Sequence, residues 1–342
     1  MKKIIKIRTT ACFLAILLLL SGCGPKRNGE ADGSKYPKMK ILLSTTVSEQ
    51  SNATLTGKLF AEEIAEKTDG NIEVVVYSSD QLSGGNMSKG VEMLTQGAID
   101  CAFEPVDVLA VLDSRLLALS LPWTFDSYEE AEECLNSEGG DFIREKLRAK
   151  NIETLGFIHN GFRQLTNSKR SVVTPEDLKN MKLRVPGGDV FMEFFKALGA
   201  DPVSMSFSEL FTALQQGTVD GQENGFDLIT TNKFYEVQDY ITGWNYSYGA
   251  FAMAFSSKTW ESLNEDTQEL FRETAEKVCR IGCENVVNNE EKQKQEVADY
   301  GCELTELNEE QIMAFKEQLD AYYEKMTTQY GEETCKAFGI EQ

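Results

Sequence analysis

An α/β protein built as two similar lobes is the architecture this sequence predicts, and three observations carry the prediction. Residues 181 to 225 alternate short apolar strands with helices, the pattern of parallel-sheet units. The segment Leu94-Thr95-Gln96-Gly97-Ala98-Ile99-Asp100 has a counterpart about 120 residues further on, Leu214-Gln215-Gln216-Gly217-Thr218-Val219-Asp220, with the same helix end, glycine stop and strand entry. Asn264 opens a helical stretch to about Asp299, too long for a single compact lobe. A chain of 342 residues is long enough to give each lobe a core of its own.

The first 22 residues read as an export leader. Lys2, Lys3, Lys6 and Arg8 form a basic start, Ala11 to Leu20 an apolar run, and Leu20-Ser21-Gly22-Cys23 resembles a lipobox, the signal for acylation of Cys23 and cleavage before it. The competing reading is an uncleaved membrane anchor, but the apolar run is shorter than the roughly 20 residues that span a bilayer. Residues 23–37 then form a polar tether from the acylated Cys23 to the folded body, which is expected on the extracytoplasmic side, at the periplasmic or cell-surface face.

In the body, Lys38 to Thr45 reads as a strand, followed by a helix capped at Ser51 or Asn52 that stops at Asp69-Gly70. Ile72 to Tyr77 is strand-like, a helix through Val91 and Leu94 closes at Gly97, and Ile99 to Phe103 is a further strand. Ser127 and Glu130 announce a helix by their capping-box spacing. Ile152 to Ile158 reads as a strand running into a first crossing between lobes near His159-Asn160-Gly161, and Thr174-Pro175 starts a helix. Strands then begin at Leu183, Val203 and Val219, with helices over Val190 to Leu198 and from Ser208 to Gln216. Phe226 to Thr231 is a short helix, and Tyr246 to Ser256 an apolar strand returning to the first lobe. After the long helix, Cys302 to Leu307 is a strand, and Asn308 with Gln311 caps a last helix. The lobes are thus expected to comprise residues 38–160 with 250–289, and 161–249 with 290–342.

The chain carries 55 acidic against 34 basic side chains, a formal net charge of −21. Such a field repels nucleic acid and anionic headgroups, so neither is an expected partner. It also opposes an anionic ligand at long range, so any anion site must depend on individually placed arginines. Arg184, between Leu183 and Val185, is one such cation, its competing reading being a strand-end side chain that snorkels to solvent.

Nucleophile-elbow, zincin, dinucleotide and phosphate-loop motifs are absent. His159 is the sole histidine, which favours a structural hydrogen bond over catalysis. Beyond Cys12 and Cys23 the six cysteines match no zinc or redox spacing, and mostly buried free thiols are expected. Neither metal nor cofactor is expected, and an enzyme is disfavoured.

Several blocks, taken together and in order, carry a family likeness: Lys182-Leu183-Arg184-Val185-Pro186, Ala197-Leu198-Gly199-Ala200, Phe207-Ser208-Glu209-Leu210, Ala213-Leu214-Gln215-Gln216-Gly217 and Asp220-Gly221-Gln222-Glu223-Asn224. They resemble the extracytoplasmic substrate-binding subunits of TRAP transporters, the DctP family, over roughly residues 38 to 335. The resemblance implies a two-lobed fold like that of periplasmic binding proteins, a ligand cleft between the lobes, and a helix spanning both. It implies that Arg184 pairs with a ligand carboxylate, that Arg163 supplies a second arginine, that Asn224 hydrogen-bonds the ligand and that Phe207 lines the pocket. Glu49, Asn52, Gln81 and Glu104 are expected in first-lobe loops facing the cleft. Members commonly have Pro after Gln-Glu-Asn, whereas Gly225 stands here, which predicts a more mobile Asn224 loop.

The expected function is capture of a small organic carboxylate, a dicarboxylate, sugar acid or similar, by a monomer that delivers it to TRAP permease subunits. Closure by a hinge near residues 160 and 249 would trap the ligand. The alternatives are a ligand-sensing partner of a signalling receptor and an extracellular hydrolase. For the anchor, Cys23→Ala is expected to move the protein from the membrane to soluble or unprocessed fractions on cell fractionation. A native mature N-terminus without acyl mass would contradict it.

Overall fold

The computed structural model describes residues 35–341. The leader, the lipobox with Cys23 and most of the tether lie outside the described residues.

Eleven strands form two separate sheets among the described residues. In chain order they are β1 (Met39–Thr45), β2 (Ile72–Tyr77), β3 (Cys101–Pro105), β4 (Ile152–Phe162), β5 (Gln164–Asn167), β6 (Lys182–Val185), β7 (Asp201–Ser204), β8 (Gly221–Asn224), β9 (Tyr240–Gly243), β10 (Tyr248–Ser256) and β11 (Glu303–Glu306). The first sheet has the order β2-β1-β3-β10-β4 and the second β11-β9-β5-β8-β6-β7.

The two sheets follow one plan. β1 lies between its parallel neighbours β2 and β3, as β6 lies between β7 and β8, and each set is extended by an antiparallel strand, β10 or β5. Helices Asn52–Lys67 and Met87–Gln96 connect the parallel strands of the first sheet, and Asp189–Ala197 and Phe207–Gln215 those of the second. Their apolar faces supply the cores: Phe60 and Ile64 are fully buried in one lobe, Phe191, Phe194 and Phe195 in the other.

The repeat seen in the sequence is repeated in the bonding. Gly97 and Gly217 both take left-handed φ angles, 71° and 66°, which ends each helix where a Cβ would be strained. Three residues later the Asp100 carboxylate accepts from Leu42 N at 2.8 Å and that of Asp220 from Lys182 N at 2.9 Å. Each aspartate therefore fastens the third strand's entry to the first strand of its own sheet.

Two neighbouring segments carry the chain between sheets. β4 passes into β5 through Arg163, and β9 passes into β10 through residues 244–247, with Arg163 N donating to Ser247 O at 2.8 Å. β10 therefore starts at Tyr248 and not at Tyr246: Asn245 has a φ of 45°, and Tyr246 gives its carbonyl to Trp123 N at 2.7 Å. The third crossing is the helix Glu265–Tyr300, 36 residues and about 54 Å long. Asn264 caps it by accepting from Thr267 N at 2.8 Å, and Gly301 closes it. It packs on Asn52–Lys67 and β4 in one lobe and on Phe226–Thr231 and β11 in the other.

Two expected caps do other work. Ser208 lies inside its helix, and its hydroxyl donates to Gly85 O of the opposite lobe at 2.8 Å. Ser51 stands at a cap position, but its hydroxyl pairs with Ser48 at 2.8 Å and with Thr231 at 2.9 Å. The box at Asn308 with Gln311 forms in full, whereas at Ser127 only one half does: its hydroxyl accepts from Glu130 N at 3.1 Å, while the Glu130 carboxylate accepts from Asp126 N at 2.8 Å. The short helices Val106–Leu109 and Ser114–Ser120 have too few turns to show a periodicity, and the sequence gives no sign of them. The C-terminal helices touch both halves: Tyr322 donates to Val190 O at 2.9 Å and Tyr323 to Pro122 O at 3.2 Å.

Gly225 is buried, with the φ of −66° that a proline would also accept, so its angle does not explain the departure from the family pattern. Packing does, because a Cβ there would lie 2.5 Å from Asn160 O, and the close approach of these two backbones sets Asn224 against the crossing. Gly225→Ala is expected to cost about 1–3 kcal/mol of stability in denaturant unfolding, the range for overpacking. An unchanged midpoint would show that this approach is not a constraint.

Candidate functional site

Arg163, Arg184, Asn224 and Phe207 line one cleft between the lobes, with Thr46, Pro105, Asp107, Asn160 and Pro186. The positions follow from the sheets. Thr46 follows β1, Asp107 follows β3, Pro186 follows β6 and Asn224 ends β8, so the carboxyl ends of strands from both lobes face one another. The free volume of about 20 Å³ takes roughly one water, so the lobes are closed. A larger cavity of about 550 Å³ lies between β4 and the long helix. It is lined by neither Arg184 nor a residue of the second sheet.

Both cleft arginines are nearly inaccessible, at 2% for Arg163 and 1% for Arg184, yet their partners differ. Arg163 faces Glu223 as a planar fork: Nε donates to Glu223 Oε2, and Nη2 to Oε1 at 2.8 Å and to the backbone carbonyl at 3.1 Å. Asn224 Oδ1 also accepts from it at 3.3 Å, and its Nη1 lies 3.7 Å from Asp107 Oδ2. Tyr246 donates to Glu223 Oε2 at 2.7 Å, and its ring stacks on Phe194 at 4.8 Å, which ties the pair into the aromatic core at the crossing. Burial by itself would lower the pKa of Arg163, but Glu223 and Asp107 outweigh it and the net shift is upward.

Arg184 has no carboxylate partner among the described residues. Its Nε and Nη2 both donate to Met205 O, at 3.0 and 2.8 Å, and its guanidinium lies 5.7 Å from the Phe207 ring centre. Burial dominates and brings its pKa down to about 10, with Arg163 adding to the fall and Glu223 opposing it. Arg184 is therefore still charged at neutral pH, in a dry place, with an edge of its fork unpaired. Burial also raises the pKa of Asp107, with Arg163 pulling the other way. Asp107 Oδ1 and Asn160 Oδ1 are buried acceptors without a donor.

The first-lobe expectations are mostly corrected. Glu49 and Gln81 are exposed, and Glu49 is held on the surface by Lys58 at 2.8 Å. Asn52 starts a helix and ties it to the long helix, donating to Gly282 O at 2.9 Å. Glu104 belongs to β3, not to a loop. It lies beneath the cleft, accepting from Thr46 at 2.8 Å, with its pKa raised by burial and then by Asp80. His159 is buried against Tyr248 Oη at 2.6 Å, and burial lowers its pKa to about 4. The cysteines from Cys101 to Cys335 are all free thiols. Among the described residues no group of three His, Cys, Asp or Glu side chains is placed to hold a metal.

A family model, DctP, described as bacterial extracellular solute-binding protein, family 7, matches residues 43–329. The chain belongs to the DctP family. Similar DctP relatives include the C4-dicarboxylate-binding protein DctB of Bacillus subtilis, 28% identical over 294 residues, which cover 86% of this chain and 83% of DctB. The sialic acid-binding periplasmic protein SiaP of Vibrio cholerae is 31% identical over 224 residues, 65% of this chain and 69% of SiaP. Among solved structures, the sugar acid binding protein DctPAm of Advenella mimigardefordensis, in complex with galactonate, superposes with a TM-score of 0.84 at 29% identity, covering 87% of this chain and 96% of that one. A TRAP periplasmic solute binding protein of Sulfurospirillum deleyianum with bound succinate gives a TM-score of 0.84 at 25% identity, covering 89% and 99%. As a DctP member this chain is an extracytoplasmic solute-binding protein, and no helix of the described residues is long and apolar enough to cross a membrane.

Three participants in this DctP cleft were not singled out by sequence reasoning: Glu223, Asp107 and the carbonyl of Met205. Glu223 stood in plain view between Gln222 and Asn224, and the signal was its placement in a strand with no exposed face. If Arg163 and Glu223 compensate each other, Arg163→Ala is expected to cost about 3–5 kcal/mol by stranding the carboxylate. The double change Arg163→Met with Glu223→Leu is expected to recover much of that loss in denaturant unfolding. Single costs that simply add would show the pair is not coupled.

Proposed function

We propose that this chain captures a small organic carboxylate on Arg184 and delivers it to the membrane subunits of a TRAP transporter, held at the outer membrane face by acylated Cys23. One observation carries the reading: a buried guanidinium, oriented by the Met205 carbonyl and without a carboxylate, opens into the cleft between the lobes. Desolvating a cation without an anion is costly, and a ligand carboxylate supplies the missing partner. The galactonate and succinate complexes of relatives support an acid as the ligand class.

In this reading each cleft residue has a distinct part. Arg184 pairs with the carboxylate, and Phe207 beneath it excludes water. Asn224 donates one Nδ2 hydrogen to Gln222 Oε1 at 2.5 Å, which leaves the other for the ligand. Arg163 holds Asn224 in place, with its Nη1 3.7 Å from Asp107 Oδ2. Entry requires the cleft to open beyond its closed 20 Å³. The hinge would lie at Arg163 and residues 244–247, with the lobe built on the first sheet moving against the lobe built on the second. Opening breaks the contacts Ser208 to Gly85 and Ser51 to Thr231, and the permease can then distinguish open from closed.

Calorimetry with an acid selected by thermal-shift screening tests the clamp. Arg184→Lys keeps the charge but loses the planar fork, so binding is expected to weaken by roughly 10- to 150-fold. Arg184→Ala is expected to weaken it further, and the amide of the same acid to bind as poorly. If Arg184→Ala binds the acid as tightly as the wild type does, with circular dichroism confirming the fold, the clamp is wrong.

A further inference from the structure

We infer that the acid this cleft selects is a hydroxylated monocarboxylate, a polyhydroxy or sugar acid, in preference to a dicarboxylate. The inference rests on the Arg184 clamp proposed above, and it is drawn from what surrounds that clamp: a shortage of cations and a surplus of unpaired acceptors.

A dicarboxylate brings two anionic ends. Arg184 can meet one, but the other cleft arginine is already engaged by Glu223 in a two-point contact and lies against Asp107. A neighbouring cavity of about 180 Å³ shares Thr46 and Phe207 with the cleft. Ser48, Ser79, Ser208 and Asn232 line it together with phenylalanines, and no Lys or Arg among the described residues does. A second carboxylate would thus lie either beside Asp107 or among hydroxyls and aromatic rings, without a cation of its own.

The acceptors point the same way. Asp107 Oδ1 and Asn160 Oδ1 are buried, border the cleft and receive no hydrogen bond. An aliphatic acid or a second carboxylate offers them no donor, whereas ligand hydroxyls do. The serines and Asn232 of the adjoining space both donate and accept, which suits a chain of hydroxyl groups. A site built around such contacts rejects an analogue that lacks the hydroxyl, because its own polar groups are left unpaired.

Two matched sets of probes test this by calorimetry on the intact chain. The four-carbon set is butyrate, succinate and 2,3,4-trihydroxybutyrate, and the six-carbon set is hexanoate, adipate and gluconate. In at least one set the hydroxylated acid is expected to bind about tenfold or more tighter than both companions, the effect of one hydrogen bond to a charged group. That binding is expected to be lost in Arg184→Ala, and Asp107→Asn is expected to narrow its margin over the dicarboxylate. If succinate or adipate binds as tightly as its hydroxylated counterpart and also depends on Arg184, the clamp stands and this inference is overturned. If binding of the hydroxylated acid survives in Arg184→Ala, the clamp fails and the inference with it; if none of the six binds, this inference is overturned, and the clamp is judged on the acid that the screen selects.

Discussion

Two guanidinium groups share a cleft almost closed to water, and Glu223 neutralises one of them. Without that carboxylate the two cations would repel each other in a medium that screens poorly. With it, Arg163 becomes part of the scaffold: its fork joins β8 to the crossing, and Tyr246 carries the contact on to Phe194. What is left without a carboxylate in direct contact is Arg184, which feels Glu223 and Asp107 only at a distance. Its side chain is held by a backbone carbonyl, so the direction of the guanidinium is set before any ligand arrives.

The fold explains why these groups meet. Each sheet places the carboxyl ends of its parallel strands toward the other lobe, and the residues just past those ends, from Thr46 to Asn224, form the cleft. The same geometry puts the crossings next to the site. Arg163 is at once a crossing residue and a cleft residue, so any bend there would move the cleft's lining directly. The long helix packs on both lobes and so spans the crossings.

The fold was largely legible in the sequence because its signals are local. Glycine stops at Gly97 and Gly217, capping pairs such as Asn308 with Gln311, and the length of the helix after Asn264 each follow from neighbouring residues. The recurrence of the Asp100 and Asp220 segments revealed the doubled plan, although their shared bond to the adjacent strand is visible only in three dimensions. The site was legible in part. Arg184, Arg163, Asn224 and Phe207 share a cleft, but Glu49 and Gln81 do not enter it: a polar residue in a loop after a strand looks alike whether it turns inward or to solvent. Glu223 and Asp107 acquire their meaning from long-range pairing with Arg163, which no spacing along the chain encodes.

The most direct test of the account is a crystal structure with a bound organic acid. The carboxylate is expected at charge-assisted hydrogen-bond distance, about 2.7–2.9 Å, from the guanidinium nitrogens of Arg184, with the Arg163–Glu223 pair unbroken beside it. A carboxylate seated on Arg163 with Glu223 displaced, or one that leaves Arg184 bound to Met205 alone, would contradict the division of labour between the two arginines.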